Sequence, residues 1–201
     1  MRETAEGAFR GARVARWPTV VGVLLIGIVA RLHHASADIP NPFEPKLASS
    51  TAIAAAVEGC ADSARKHDWG NKVSSRWLLK YCGCMIDVMV FRGEGFDPSK
   101  QDACAKYAER TASQQKPSRT PFQARRQFLT SEQIYSGQLS CEARVQAEDP
   151  TKSFVYRMVI CSCITDLLRY KRTLDAAKLP RKSVELCEVF AADQDAKLSR
   201  P

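Results

Sequence analysis

Apolar residues recur at helical spacing in two long stretches of the chain, in the same register both times. In the first, Trp77, Tyr81, Cys84, Val88 and Phe91 fall at i, i+4, i+7, i+11 and i+14, a single stripe along a helix. In the second, Tyr156, Ile160, Cys163, Leu167 and Tyr170 repeat that spacing position for position. A shorter helical pattern precedes each stripe. One starts at Ser49 or Ser50 as N-cap and carries Ile53, Ala54, Val57 and Cys60 to about His67. The other is capped by Ser131 and carries Ile134 and Cys141. Asp68-Trp69-Gly70-Asn71 makes the first turn, and Asp149-Pro150 caps the second stripe helix. A third helix follows each stripe: one restarts at Asp97-Pro98, after the breaker Gly93-Glu94-Gly95, and holds Cys104 and Tyr107. The other begins near Pro180 and holds Cys187 and Phe190. No stretch alternates as a strand would, so the fold class is all-α, two tandem three-helix units. Ser50 matches Ser131, Ile53 matches Ile134, Asp87 matches Asp166 and Tyr107 matches Phe190, which a duplication explains better than chance.

The residues ahead of the first unit read as an export signal. Arg2, Arg10, Arg13 and Arg16 form a basic leader, residues 20–30 an apolar run, and Ala35-Ser36-Ala37 a small-x-small cleavage site. The run is too short for a bilayer core that needs about 20 residues, so no transmembrane span is expected in the mature chain; an uncleaved anchor is the alternative. The organisation expected is a signal peptide at 1–37, an extended lead-in at 38–47 with Pro40, Pro42 and Pro45, a first helical unit at 48–114, a basic linker at 115–129 and a second unit at 130–201. Removing 1–37 takes away five basic and two acidic residues, so the formal charge of +8 becomes +5. That is too diffuse to imply specific nucleic-acid binding, which wants a clustered basic face.

The export signal decides how the eight cysteines are read. Cys82 and Cys84 form one Cys-x-Cys, flanked by Cys60 and Cys104; Cys161 and Cys163 form another, flanked by Cys141 and Cys187. Residues two apart on a helix point about 200° away from each other, so each member of a pair reaches a different neighbouring helix. Measured as height above the intervening turns, Cys60–Cys82, Cys84–Cys104, Cys141–Cys161 and Cys163–Cys187 match best, with a crossed pairing as runner-up. Four staples suit units too small to bury a large core. The competing use is soft-metal or thiol-redox chemistry. A Cys-x-Cys converges on copper from a loop rather than from mid-helix, and redox pairs favour Cys-x-x-Cys at a helix start.

Other chemistry is sparse. His67 is the one histidine outside the signal and sits at a helix end; Gly-rich phosphate loops, nucleophile elbows and zinc-protease motifs are not found. The expectation is therefore no catalytic, cofactor or metal residue, with a non-enzymatic protein favoured over a third reading, a periplasmic enzyme of unknown type. Asp87 and Asp166 are expected on or beside a solvated flank, in an ion pair with a neighbouring helix. From Arg110 to Ser131 no acidic residue occurs, while Lys116, Arg119, Arg125 and Arg126 interleave with Phe122 and Phe128. That stretch is either a flexible, protease-sensitive connector or a docking surface for an anionic envelope component or acidic protein. A second basic cluster runs Arg169, Lys171, Arg172, Lys178, Arg181 and Lys182, with Asp175 against it.

Tyr81-Cys82-Gly83-Cys84-Met85-Ile86-Asp87, with single cysteines on the helices either side, resembles a group of small exported helical proteins of proteobacteria. The second copy, Ile160-Cys161-Ser162-Cys163-Ile164-Thr165-Asp166, departs from it in having Ile160 for the aromatic. The resemblance covers both units and implies a periplasmic, disulfide-bonded helical protein; it implies no activity. The leading expectation is a non-enzymatic binding or scaffold module in the cell envelope, periplasmic or secreted, and the alternative is a thiol-redox or copper-handling protein.

Overall fold

A computed structural model of the chain describes residues 39–91, 97–114, 119–123 and 127–198. The signal at 1–37, Asp38, the breaker at 93–95 and Lys116, Arg125 and Arg126 lie outside the described residues. Among those described, six α-helices and no strand are present: α1 (Ser50–Arg65), α2 (Ser75–Ile86), α3 (Pro98–Thr111), α4 (Ser131–Glu148), α5 (Phe154–Lys171) and α6 (Arg181–Leu198). A 3-10 turn, Gly70–Lys72, joins α1 to α2, another, Ala176–Lys178, precedes α6, and α2 runs on as one π-helical turn, Asp87–Phe91. None of these helices is long and apolar enough to cross a membrane.

Most helix starts follow the side chains that could cap them. Ser49 Oγ accepts from Ala52 N–H and Ser74 Oγ from Trp77 N–H, while Asp97 caps α3 with Pro98 at its first position. Two starts differ from expectation. Thr130, not Ser131, caps α4, closing a capping box in which Gln133 N–H donates to Thr130 Oγ1 and Thr130 N–H to Gln133 Oε1. Asp149 binds Thr151 in a local turn, and Ser153 caps α5. At the first bend, a Cβ on Gly70 would stand 2.1 Å from the Ala64 carbonyl oxygen, so only glycine lets the chain double back there.

The four disulfides are Cys60–Cys82, Cys84–Cys104, Cys141–Cys161 and Cys163–Cys187, with Cα atoms 5.5 to 5.8 Å apart and no free cysteine. The central helix of each unit is thus tied to the helix before it and the helix after it. Within the stripes, Tyr81, Cys84, Val88, Ile160, Cys163 and Leu167 are buried and Trp77 and Tyr156 half-buried. Tyr170 is exposed and stacks on Phe43 at 6.0 Å.

The cores do not respect the boundary between units. Ile134 and Leu129 complete the core built on Ile53, Val57, Leu78 and Met85. Ile39 and Phe43 of the lead-in pack against Val159 and Ile160 of the second unit. The lead-in is accordingly not extended: Asn41 Oδ1 accepts from the Phe43 and Glu44 N–H groups and turns the chain. Helix α4 packs on α1 and α2 as well as on α5, and α1 touches α5. The first core is therefore shared between the units.

Oxidised protein should weigh about 8 Da less than reduced protein, four two-electron oxidations, with the peptide pairs above recovered by non-reducing mapping. Replacing Cys163 and Cys187 together by alanine should cost about 3 kcal/mol in urea unfolding. A variant as stable as the parent would show that the staple constrains nothing.

Candidate functional site

Asp87 and Asp166, each three residues beyond a Cys-x-Cys, are not on a solvated flank. Their exposures are 0% and 1%. Each reaches across to the first turn of the opposite unit. Asp166 Oδ1 accepts from Ser50 N–H at 3.0 Å and Ser50 Oγ at 2.6 Å, at the start of α1. Asp87 Oδ1 accepts from Ser131 N–H at 2.9 Å and Ser131 Oγ at 2.7 Å, at the start of α4. A carboxylate here satisfies a helix-terminal N–H and opposes the positive end of the helix dipole. This is why Ser131 does not cap its own helix: its hydroxyl is committed to Asp87. The approach is close. A Cβ on Gly83 would meet Glu132 N at 2.8 Å, and at the equivalent position Ser162 Oγ accepts from Thr51 N–H at 2.7 Å.

The two caps are balanced differently. Arg169 Nη1 pairs with Asp166 at 2.6 Å and also donates to the Ala48 carbonyl. Arg169 is therefore buried in the junction, not part of a surface basic cluster. The residue equivalent to Arg169 is Val90, and Asp87 takes neutral donors from the connector instead: Thr120 Oγ1 at 2.6 Å and Gln127 Nε2 at 2.8 Å. Burial pushes the Asp87 carboxyl above the usual carboxylate range, against the pull of the hydrogen bonds from Thr120, Gln127 and Ser131. Burial also pushes Asp166 up, opposed first by the Arg169 charge. The connector is correspondingly anchored. Thr120, Gln127 and Leu129 are buried, and Phe122 and Phe128 pack against the first core. Of the four basic residues read as a docking patch, Arg119 is described and is exposed. His67 lies half-buried beyond α1, its backbone N–H donating to the Ala64 carbonyl oxygen.

Between α1 and α4, roofed by the start of α5, lies a cavity of about 270 Å³. Ala54 and Ala55 leave the space on one side; Tyr135, Leu139, Phe154 and Met158 line the other. Phe154 and Leu139 are 62% and 46% exposed although both are large and apolar. Glu58 and Glu142 supply the charge, and Thr51 and Gln138 complete the lining. Two polar atoms there lack a partner, Thr51 Oγ1 and Gln138 Oε1, in residues only 1% and 5% exposed. Gln138 Nε2 donates one of its two N–H groups to Glu142 Oε1 at 2.9 Å. No property of a single element marks this groove in the sequence, because its walls come from three helices of two units. Among the described residues, no cluster of three or more histidine, cysteine or carboxylate side chains is placed to hold a metal ion.

A buried carboxyl whose folded pKa is raised contributes stability that is full below its unfolded value of about 3.9 and is lost as pH rises through the folded value. Relative to Asp87→Asn, the parent should therefore lose stability as pH climbs from about 3 towards 7, read by urea unfolding at each pH. A flat or rising difference would mean that the hydrogen bonds outweigh burial. Asp87→Ala, which strands the Ser131 N–H, should cost about 1–3 kcal/mol per buried donor left unsatisfied.

No protein-family model matches the chain, and no curated protein or solved structure matches it either.

Proposed function

We propose that the protein is an exported, non-enzymatic binding module of the cell envelope, periplasmic or secreted, built by duplication of a three-helix unit and holding a ligand non-covalently in the groove between α1 and α4. The observation that carries this reading is the groove itself. It is a concave site at a unit junction, apolar in most of its lining, with a few polar groups converging on it, which is the usual character of a small-molecule site. Four disulfides fit an oxidising compartment, where such bonds form and persist. They also weigh against the thiol or copper reading. All eight sulfurs are bonded to one another, so none is left as thiolate to attack a disulfide or ligate a soft metal.

The scaffold half of the proposal concerns the basic connector. Thr120 and Gln127 both bond Asp87, and exposed Arg119 adjoins the anchored Thr120, so its charge is carried beside a fixed point rather than on a free tether. That favours display of the positive charge to an anionic envelope partner, with Lys116 on the same segment.

A mixed fragment set added to the oxidised, ¹⁵N-labelled protein should shift the amides of Thr51, Tyr135, Leu139 and Phe154 together. A set from which no compound moves those amides would dismiss the groove as a site. Arg125→Glu with Arg126→Glu should leave unfolding within about 0.5 kcal/mol of the parent and weaken sedimentation with anionic vesicles at low salt. Equal sedimentation of both proteins would reduce the connector to a linker.

A further inference from the structure

The charge of the groove runs against that of the chain. The protein carries 30 basic and 22 acidic residues, yet the groove's charged groups are the carboxylates of Glu58 and Glu142, with no lysine or arginine in its lining. The unpartnered polar atoms have the same sense. Gln138 Oε1 is an acceptor, and Thr51 Oγ1 can accept a hydrogen bond as well as donate one. Tyr135, on the groove wall, feels this field: burial pushes its phenol up first, and the charges of Glu58, Asp62 and Glu142 add to that against the opposing pull of Arg65. A ligand suited to this lining brings donors and positive charge, and an apolar stem to lie along Ala54, Ala55 and Met158.

The other half of the fold carries an ammonium beside the position equivalent to Thr51. The position equivalent to Thr51 is Glu132, and the position equivalent to Val159 is Lys80. There the Lys80 ammonium, on a side chain 3% exposed, sits 2.9 Å from Glu132 between α2 and α4. On the groove side Val159 supplies no ammonium, and Thr51 Oγ1 has no partner. One half of the junction thus carries its own ammonium on an apolar stem, while the other presents an acceptor-rich cavity.

The geometry points to the groove as a site for a small aliphatic amine, its ammonium held between Glu58 and Glu142 and its hydrocarbon stem against Ala54, Ala55, Met158 and the ring of Phe154. A free amine rather than a lysine of a protein partner is assigned because the space, about 270 Å³, suits one short stem and head and falls just below the usual range of ligand cavities. Aromatic faces at Tyr135 and Phe154 add attraction for a cation. This assignment rests on the binding reading above and specifies the ligand class.

The experiment uses the exported, oxidised protein with n-hexylammonium, n-hexanol, hexanoate and a lysine with both termini blocked, read by ¹⁵N amide shifts and calorimetry. Hexylammonium should bind with shifts confined to Thr51, Gln138, Glu142 and Phe154. Hexanol should bind at least tenfold more weakly and hexanoate not at all. Glu58→Gln with Glu142→Gln should weaken hexylammonium at least tenfold and leave hexanol and the thermal midpoint unchanged, since glutamine at 142 can still accept from Gln138. Raising salt should weaken hexylammonium alone, as expected for partly exposed charges. Hexanol binding as tightly as hexylammonium would overturn the amine assignment while leaving the binding module intact. Blocked lysine binding more tightly than hexylammonium would overturn the free-amine assignment in favour of a protein side chain. If no probe moves the groove amides, the amine assignment fails; if the fragment set also leaves them unmoved, the binding reading fails with it.

Discussion

The joining of the two units depends on two buried carboxylates, each lent by the central helix of one unit to the first helix of the other. No disulfide crosses between units; all four close hairpins within them. α1 is set against α5 and α4 against α2 by the exchange of Asp166 for Asp87, together with the apolar core that Ile134 and Leu129 share with the first unit, Ser162 beneath one helix start and the bare Cα of Gly83 beneath the other. The aspartate must follow the second cysteine by three residues. At that spacing it leaves the central helix beside the Cys84 or Cys163 face and projects past its unit's staples towards its neighbour. A buried charge is tolerable only when hydrogen bonds surround it. Each carboxylate gathers two bonds from a helix start before any other partner is counted.

The halves part company in how they neutralise these charges, and the differences fall where the molecule has something to spare. Asp166 has Arg169, so the charge at that junction is balanced within α5. Asp87 faces Val90's position on its own helix and must be satisfied by Thr120 and Gln127. That need accounts for the anchoring of a connector which composition alone would leave loose. The π-helical turn starting at Asp87 has no counterpart in α5, which stays α-helical through Lys171. Across the junction, Lys80 and Glu132 form one buried ion pair where Val159 and Thr51 form none. The groove lies beside Thr51, the member of that equivalent pair left without a partner, where Ala54 and Ala55 leave space against α4.

Much of the fold was legible because it is settled locally. Helix hairpins with short turns leave few heights at which a cysteine on one arm can meet a cysteine on the other, so spacing alone chose the pairing that the structure has. Caps were legible where one candidate stood alone, as at Asp97-Pro98. They were misread where two competed: Ser131 over Thr130, and Asp149 over Ser153. In the first case the decision was made from outside the helix, because Asp87 claims the Ser131 hydroxyl. The same reason hid the aspartates' role. An amphipathic pattern shows which face of a helix is apolar, but not that a second unit will cover the polar flank. Arg169 was counted with the surface cations for the same cause. The groove was illegible because Glu58, Gln138 and Phe154 have no relation in sequence and meet only when the units are joined.

On the binding reading proposed above, joining and binding are one equilibrium seen from two sides. The groove's walls, α1 and α4, are the helices whose starts are held by Asp166 and Asp87, so loss of either cap loosens a wall as well as a junction. A ligand seated between the walls favours the joined state over any in which the units part, by an amount set by its concentration relative to its dissociation constant. The staples take no part in this, since each unit keeps its disulfides whether or not it touches the other. Covalent rigidity is thus spent inside the units, where small cores need it. Adjustability is left at the seam, where hydrogen bonds to two carboxylates can be traded against contacts with whatever enters the groove.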